Sequence, residues 1–296
     1  FPLGYLVELS GPEGSGKSSL AYRVVGQAQK RGMKCAWIDA EFSFSKKLAV
    51  INGANLDELD VADLVDTDDP THLYSAEEIF ERICDLCLAG YKVIVLDSVA
   101  NLTTRAELDN RLDEGGVGIA ALAAVLSKAL KKIVNFAAKF GAMVIVVNQM
   151  REKPGVLFGN PETTPGGRAL KHLESVRIQM KKQFGDDGKI KQTDDEGNEK
   201  TIGGNRYVYI LKNRFGQPVE KSIMIPVYYT YHFPGVEEMV FDQGRKLNII
   251  TKYKSEFRWE GLKGVGKQGF LAACSDQMGK LVNQIKESAV EEKIIL

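Results

Sequence analysis

The sequence predicts an α/β fold in which a central, mostly parallel β-sheet is flanked by helices. Short, uniformly apolar runs alternate with longer segments of helical period along the first half of the chain. The glycine-rich string GPEGSGKS (11–18) stands between the first apolar run and the first helical segment. Strands and helices in this order pair in parallel through right-handed crossovers, and strands this apolar are covered on both faces.

The elements of this core can be assigned in order. The predicted strands are GYLVELS (4–10), KCAWIDAE (34–41), YKVIVLDSV (91–99) and AMVIVVNQ (142–149). The predicted helices run from the glycine string to about Gly32, over 76–89 and over 118–140. The carboxyl ends of the parallel strands therefore meet at one edge of the sheet, which is where α/β proteins place their chemistry.

The second half of the chain follows a different pattern. Three segments alternate in strand fashion and predict an antiparallel extension of the sheet: SVRIQMKKQ (175–183), NRYVYILKNR (205–214) and KSIMIPVYY (221–229). The charged, glycine-rich string between the first two, 184–204, is interpreted as a mobile, solvated hairpin tip. We predict a core domain over 1–242 and a small C-terminal α/β domain over 243–296.

Length, composition and net charge limit the classes of protein to which the chain can belong. The chain of 296 residues is 44% hydrophobic, which suits one large domain and a small appendage. Its formal net charge is zero, so a nucleic-acid site has to be a local basic surface. The sequence has neither a signal peptide nor an apolar run of ~20 residues, so we expect no membrane association. The strand-like string that begins at Phe1 predicts that the natural start is missing.

Cysteine is sparse, and the CxxC formed by Cys84 and Cys87 lies in a segment of helical period. A second cysteine pair or a histidine cluster, which a zinc site would need, is not found in the sequence. We interpret both as buried helix cysteines of a protein in a reducing, cytosolic compartment.

The string GPEGSGKS matches the phosphate-binding pattern G-x-x-x-x-G-K-[ST] in the required context, after a strand and before a helix. Its glycines let backbone N–H groups surround phosphate oxygens at the positive end of a helix. Lys17 can reach the β and γ phosphates, and Ser18 can ligate Mg²⁺. The residues predicted to hold a nucleoside triphosphate are Gly11, Pro12, Glu13, Gly14, Ser15, Gly16, Lys17, Ser18, Ser19 and Asp97.

Three polar residues follow the other strands at the same edge of the sheet. Asp97 is predicted to hold the Mg²⁺ shell together with Ser18, the alternative being a simple strand-end cap. Glu41 can orient and deprotonate a water molecule, although charged residues are ordinary at strand ends. Gln149 is either a sensor of the γ-phosphate or a plain polar terminus, and it precedes the loop FGNPETTPGG (158–167).

Several strings together resemble the bacterial RecA recombinases, with phage recombinases as near relatives. They are GPEGSGKSS, IDAE, VIVLDSVANLT, VNQMREKPGVLFGNPETTPGGRALK and LKNRFGQP, and the similarity runs from about residue 3 to the end. The block over 148–171 is far more specific than the phosphate loop. The family's N-terminal helix and strand, which dock on the next subunit, have no counterpart here, so a filament is expected of the intact protein.

The resemblance implies a RecA-type ATPase core that uses ATP and Mg²⁺. Its expected partners are single-stranded DNA, homologous double-stranded DNA and further copies of itself in a helical filament that exchanges strands in recombinational repair. It also implies a location in the bacterial cytoplasm or nucleoid, or in the cytoplasm of a phage-infected host.

The resemblance also assigns roles to individual residues. Lys17 and Ser18 handle phosphate and Mg²⁺, Glu41 the water, and Gln149 is similar to the γ-phosphate switch. Lys212 and Arg214 in LKNR resemble a basic pair that reaches the ATP of a neighbouring protomer, like arginine fingers supplied in trans. Without the family they would be read as solvated charges at a strand end.

Two loops would face DNA, one near 108–118 and one over 151–168. In the second, glycines allow close approach to phosphates, basic residues supply charge, and Phe158 can stack on bases without reading their sequence. The residues expected to contact DNA are Arg151, Lys153, Phe158, Gly159, Asn160, Gly166, Gly167 and Arg168.

Two other functions fit much of the same pattern. One is a regulatory RecA-fold NTPase or helicase-like motor that does not pair strands. The other is a nucleotide-dependent DNA-binding module with negligible turnover. The block GNPETTPGG (159–167) favours the recombinase, since helicases and clock-type relatives do not normally carry it.

Overall fold

The computed structural model of the chain describes residues 1–66, 69, 71–110, 119–152, 162–163, 167–193, 199–216, 222–229, 240–241, 243–245 and 247–291. By compactness the chain forms two units, Phe1–Tyr231 and His232–Leu296. The domain boundary after residue 242 remains a prediction, since residues 230–239 and 242 lie outside the described part.

The first unit contains the four strands and three helices predicted for the core, together with further short elements between and after them. In chain order its strands are β1 (Leu6–Gly11), β2 (Cys35–Asp39), β3 (Leu59–Asp63), β4 (Val93–Asp97), β5 (Met143–Gln149), β6 (Arg151–Glu152), β7 (Glu162–Thr163), β8 (Val176–Lys182), β9 (Lys189–Thr193), β10 (Glu199–Asn213) and β11 (Ser222–Tyr228). Its helices are α1 (Lys17–Gln29), α2 (Lys46–Ile51), α3 (Ala76–Leu88), α4 (Arg105–Asp109), α5 (Ile119–Phe140) and α6 (Gly167–Leu173).

The main sheet has the order β11-β10-β8-β1-β5-β4-β2-β3, with β9 paired to β10. The strands from β8 to β3 in this order are parallel, while β9, β10 and β11 add antiparallel pairs. Alternate side chains enter two cores: Leu6 packs with α3 and α5, and Val7 packs with α1. The predicted α/β class, with helices on both faces of a mostly parallel sheet, is confirmed.

Strand β3 was not predicted from the sequence. It pairs with β2 at the edge of the sheet and buries only Leu59 well, while Val61 is 45% exposed. The string LDVAD carries two aspartates and lacks the continuous apolar run that marked the inner strands. An edge strand has one free side, and its composition therefore resembles that of a loop.

Two expectations about the second half were wrong in part. Strand β8 does not begin the antiparallel extension, because it pairs in parallel with β1, and the direction reverses only at β10. Side-chain alternation gives the period of a strand but not its direction. The charged insert is not simply a solvated tip, since β9 pairs with Glu199–Gly204 of β10 in an antiparallel ladder whose register shifts between Thr201 and Gly203.

The second unit contains a three-stranded antiparallel sheet, β12 (Thr251–Tyr253), β13 (Glu256–Trp259) and β14 (Leu262–Val265), followed by α7 (Gly266–Cys274) and α8 (Met278–Glu291). Its core gathers the side chains of Trp259, Phe270 and Leu281. Among the helices of the described residues, none has the length and apolar composition needed to cross a membrane.

Candidate nucleotide site

The phosphate-binding loop connects β1 to α1 and is shaped by its glycines. Gly16 precedes α1 with φ of 93°, a left-handed conformation that residues with a side chain rarely adopt. At Gly11 a Cβ atom would lie 2.3 Å from the carbonyl oxygen of Met180, so a larger residue would push β1 and β8 apart. Both positions therefore require glycine to bring the backbone around a ligand at the N-terminus of α1.

Lys17 lies in the first turn of α1 and is 8% exposed. Its Nζ donates hydrogen bonds to the carbonyl oxygens of Gly11 at 3.1 Å and Pro12 at 3.0 Å. Burial lowers the pKa of the ammonium, while the charges of Asp97 and Glu41 act in the opposite direction. A phosphate beside it would favour the charged form, so the electrostatics suit an anionic ligand.

Ser18 and Asp97 meet at the base of the loop. The Ser18 hydroxyl donates to Oδ2 of Asp97 at 2.7 Å, and Asp97 is 3% exposed at the end of β4. Burial raises the pKa of Asp97 to about 6, although the hydrogen bond from Ser18 and the charge of Lys17 lower it. Since a divalent cation would relieve this penalty, the hydroxyl–carboxylate pair fits Mg²⁺.

The loop also contains a polar atom without a partner. The side chain of Ser15 is fully buried, and its Oγ makes no hydrogen bond with the described residues. A buried hydroxyl of this kind is usually satisfied by a ligand or a water molecule. Together with the glycine cradle and Lys17, it makes the loop suited to the oxygen atoms of a polyphosphate.

Glu41 and Gln149 come together beside this loop. Ends of adjacent strands are level, with Asp39 opposite Asp97 and Asp97 opposite Val147, so the residues that follow share one edge. Nε2 of Gln149 donates to Oε1 of Glu41 at 2.8 Å, and the Ser98 hydroxyl donates to the same oxygen. Glu41 is therefore oriented by two donors and keeps its other carboxylate oxygen, Oε2, apart from both of these bonds.

Two residues of this site escaped the sequence prediction. Ser98 directly follows Asp97, and its hydroxyl bonds Glu41 from across the strand ends. Asp39 accepts hydrogen bonds from the backbone N–H groups of Glu41, Ser43 and Phe44, which fixes the turn that carries Glu41. Their places at strand ends, in the strings DSV and IDAE, could have marked them as candidates. The contact between Ser98 and Glu41, however, depends on which strands are neighbours in the sheet.

The segment after Gln149 begins as a short hairpin. The N–H of Met150 donates to the carbonyl oxygen of Gly11 at 3.3 Å, and β6 then pairs with β7 in antiparallel fashion. The base of the predicted DNA loop is therefore bonded to the phosphate loop itself.

The residues predicted to contact DNA are only partly described. Arg151 lies in β6, and Gly167 and Arg168 begin α6. Lys153, Phe158, Gly159, Asn160 and Gly166 lie outside the described residues, as do 111–118 of the first loop.

Lys212 and Arg214 lie away from the site of their own chain. Lys212 is level with Arg177 on β8, and Arg177 is level with Glu8 on β1, three residues before Gly11. That offset is about 10 Å along the strands, in addition to two strand spacings. Nζ of Lys212 donates to the carbonyl oxygens of Lys171 at 2.6 Å and His172 at 3.2 Å, at the end of α6.

Comparisons with known proteins agree with this architecture. A family model described as the RecA N-terminal domain matches residues 1–232. The chain is 38% identical over 269 residues to Protein RecA of Ehrlichia canis (strain Jake), covering 90% of this chain and 70% of the relative. It is 35% identical over 293 residues to Protein RecA of Caldanaerobacter subterraneus subsp. tengcongensis, covering 97% and 79%. The resemblance of the motifs is thereby confirmed, and the chain belongs to the RecA family of recombinases.

Proposed function

We propose that the protein is an ATP-dependent DNA recombinase. It forms a filament on single-stranded DNA, pairs that strand with homologous double-stranded DNA and exchanges strands in recombinational repair, hydrolysing ATP with Mg²⁺. Because the relatives named above come from bacteria, we place this activity in a bacterial cytoplasm or nucleoid, or in a phage-infected host.

The observation that carries the proposal is the hydrogen bond between Gln149 and Glu41 at the base of the β6–β7 hairpin. Gln149 touches the residue suited to handle the attacking water and is two residues ahead of Arg151, where the predicted DNA segment begins. A change in the bonding of this amide would act directly on the hairpin. A phosphate loop alone is compatible with any NTPase. The contact of Gln149 with Glu41 favours an NTPase in which nucleotide binding and DNA binding are coupled.

The chemistry assigned to each residue follows from its surroundings. The backbone of the phosphate loop and Lys17 bind and orient the triphosphate, and Ser18 with Asp97 would hold Mg²⁺. When bound, the metal ion neutralises negative charge on the phosphate oxygens. Glu41 accepts a proton from water, and Ser98 and Gln149 hold its carboxylate in place for this transfer.

The proposal is tested by measuring ATP hydrolysis with and without single-stranded DNA, followed by strand exchange with homologous and scrambled duplexes. We expect DNA to stimulate hydrolysis and only the homologous duplex to yield exchanged product. If DNA stimulates hydrolysis but no homologous pairing occurs, the protein is a helicase-like motor or regulatory NTPase instead. If DNA binding depends on nucleotide but turnover is negligible, it is a DNA-binding module.

Replacing Phe158 by alanine is expected to weaken binding to single-stranded DNA while leaving ATP affinity unchanged. The loss of one stacked base corresponds to ~1–3 kcal/mol, or roughly a 5- to 150-fold higher Kd. The measurement is a fluorescence anisotropy titration of labelled poly(dT) at one fixed salt concentration. Phe184→Ala is the matched control, because this aromatic side chain is 86% exposed outside the loop; equal DNA affinity in the Phe158 variant and this control would remove Phe158 from the interface.

Replacing Arg214 by alanine is expected to lower DNA-stimulated hydrolysis roughly 10³-fold, the range of an arginine supplied in trans. Its guanidinium bonds the carbonyl oxygen of His172 within its own chain, far from its own phosphate loop. ATP binding by the isolated chain should therefore be unchanged. Mixing this variant with the Lys17→Ala variant should restore part of the activity, since each supplies what the other lacks; intact stimulated hydrolysis in the Arg214 variant would rule out action in trans.

A further inference from the structure

A buried cluster of charged residues lies between the candidate site and Lys212. Glu8 stands in the middle of β1 and is fully buried, and Glu174, the first residue after α6, is 1% exposed. Oε2 of Glu8 lies 2.8 Å from Nε of Arg177, and Oε1 of Glu174 lies 3.9 Å from the same nitrogen. Two carboxyl groups thus face one guanidinium in the interior of the sheet.

The two carboxyl groups also affect each other. Each lies against the same nitrogen of Arg177, so two ionised carboxylates would repel each other across a short, buried distance. Burial, together with the negative charge of Glu8, raises the pKa of Glu174 to about 8, against the opposing charges of Arg177 and Lys212. Two buried carboxylates beside one guanidinium would leave an uncompensated charge, so one retained proton is the favourable state.

This pair is connected to both functional regions. On one side, Nδ2 of Asn148 donates to Oε1 of Glu8 at 2.8 Å, and Asn148 is the residue before Gln149. On the other side, the N–H of Glu174 donates to the carbonyl oxygen of Leu170 at 3.0 Å, which fixes the end of α6. The last carbonyl groups of that helix are the ones that hold Nζ of Lys212.

We propose that Glu174 is a positioning residue which, by keeping its own carboxyl group neutral beside Glu8 and Arg177, holds Lys212 and Arg214 at the end of α6 and ties their placement to the end of β5 that bears Gln149. The inference rests on the proposed function, in which this basic pair acts on the ATP of a neighbouring protomer. While one proton is retained, the single negative charge that remains on the two carboxyl groups is balanced by the positive charge of Arg177. Loss of that proton adds a negative charge there, which draws the ammonium of Lys212 towards its own chain and away from the neighbour's phosphates.

The sign of the pH dependence follows from the raised pKa. Glu174 binds its proton more tightly in the folded protein than in the unfolded chain, so its contribution to stability is complete below the ordinary glutamate pKa and is lost as the pH rises through about 8. The DNA-stimulated rate should fall in the same alkaline window. Burial also lowers the pKa of Lys212, and the experiment must therefore separate the two groups.

The test compares the wild type with Glu174→Gln and Glu174→Ala in DNA-stimulated hydrolysis between pH 6 and 9.5. Gln has the shape and the zero charge of a protonated glutamate but does not titrate, so its rate should match the wild type near pH 7 and lack the fall around pH 8. Ala removes the contact and should lower the rate at pH 7 by roughly 10- to 100-fold, the effect of a small displacement of reacting groups. Glu199→Gln, at an exposed glutamate of β10, is the control and should keep the wild-type profile.

A second measurement reads the proton itself. In protein labelled with ¹³C at glutamate Cδ, one carboxyl carbon should titrate near pH 8, and this signal should be missing from Glu174→Gln. It is independent of hydrolysis and remains informative if Glu174→Ala does not fold.

The proposal is overturned if no such carboxyl titrates, if the fall around pH 8 persists in Glu174→Gln, or if Gln and Ala behave alike. Absence of DNA-stimulated hydrolysis in the wild type would instead contradict the proposed function, a result that the carbon titration distinguishes.

Discussion

Replacing Lys17 by alanine is expected to weaken ATP binding by roughly 100-fold or more, which corresponds to about 3 kcal/mol and is typical of losing a charged partner of a phosphate. The ammonium is buried at the start of α1, and its pKa is lowered by that burial, so a phosphate is the group that best compensates its charge. The measurement is isothermal titration calorimetry of ATP with Mg²⁺. DNA binding that depends on ATP should be lost in parallel.

The control for this variant is Lys30→Ala, an exposed lysine at the opposite end of α1. It removes the same charge from the same helix and should leave ATP affinity within about twofold, as expected for a surface charge. Thermal unfolding of both variants in the absence of nucleotide checks that the sheet is intact. An unchanged ATP affinity in a folded Lys17→Ala protein would count against the nucleotide site.

Replacing Glu41 by glutamine is expected to lower the rate of ATP hydrolysis roughly 10²- to 10⁴-fold, the contribution of a general base. Glutamine has the same shape and can still accept the hydrogen bond from Ser98 through its carbonyl oxygen, but it cannot take up a proton from water. ATP affinity should be retained within a few-fold, and the DNA-bound state should persist longer because ATP is not consumed. Single-turnover hydrolysis and the dissociation rate from labelled DNA measure these two effects.

Two further variants make the result on Glu41 specific. Glu58→Gln changes an exposed carboxylate near β3 and should hydrolyse ATP at the wild-type rate. Ser98→Ala removes one of the two donors to Glu41 and should reduce the rate less than Glu41→Gln, since Gln149 still orients the carboxylate. Normal turnover in Glu41→Gln would show that Glu41 is not the general base and that another group accepts the proton from water.

Much of the candidate site could be predicted because its signals are local. One turn between a strand and a helix constrains Gly11, Gly16 and Lys17, and the motif that contains them is only eight residues long. Asp97 and Gln149 end apolar strands, and parallel strands place their carboxyl ends at one edge regardless of their order. The prediction of Glu41 used the same rule.

The order of the strands in the sheet could not be predicted from the sequence. Strand β1 lies between β8 and β5, and it is this order that places Glu8 beside Arg177 and Asn148. A glutamate in an apolar run gives no hint of its partners, which come from three other elements of the chain. Similarly, the exposed edge strand β3 and the direction of β8 depend on pairing, which local periodicity does not encode.

The sequence by itself determined the class of the fold, the phosphate loop, the polar ends of the strands and the family, because each is written in a short run of residues or in the alternation of apolar segments. Only the tertiary structure decided which polar ends touch, where Lys212 and Arg214 lie and how Glu8 meets Glu174. These contacts join segments that are distant in the chain, and their energies depend on burial and on the distance between charges, which are properties of the folded sheet.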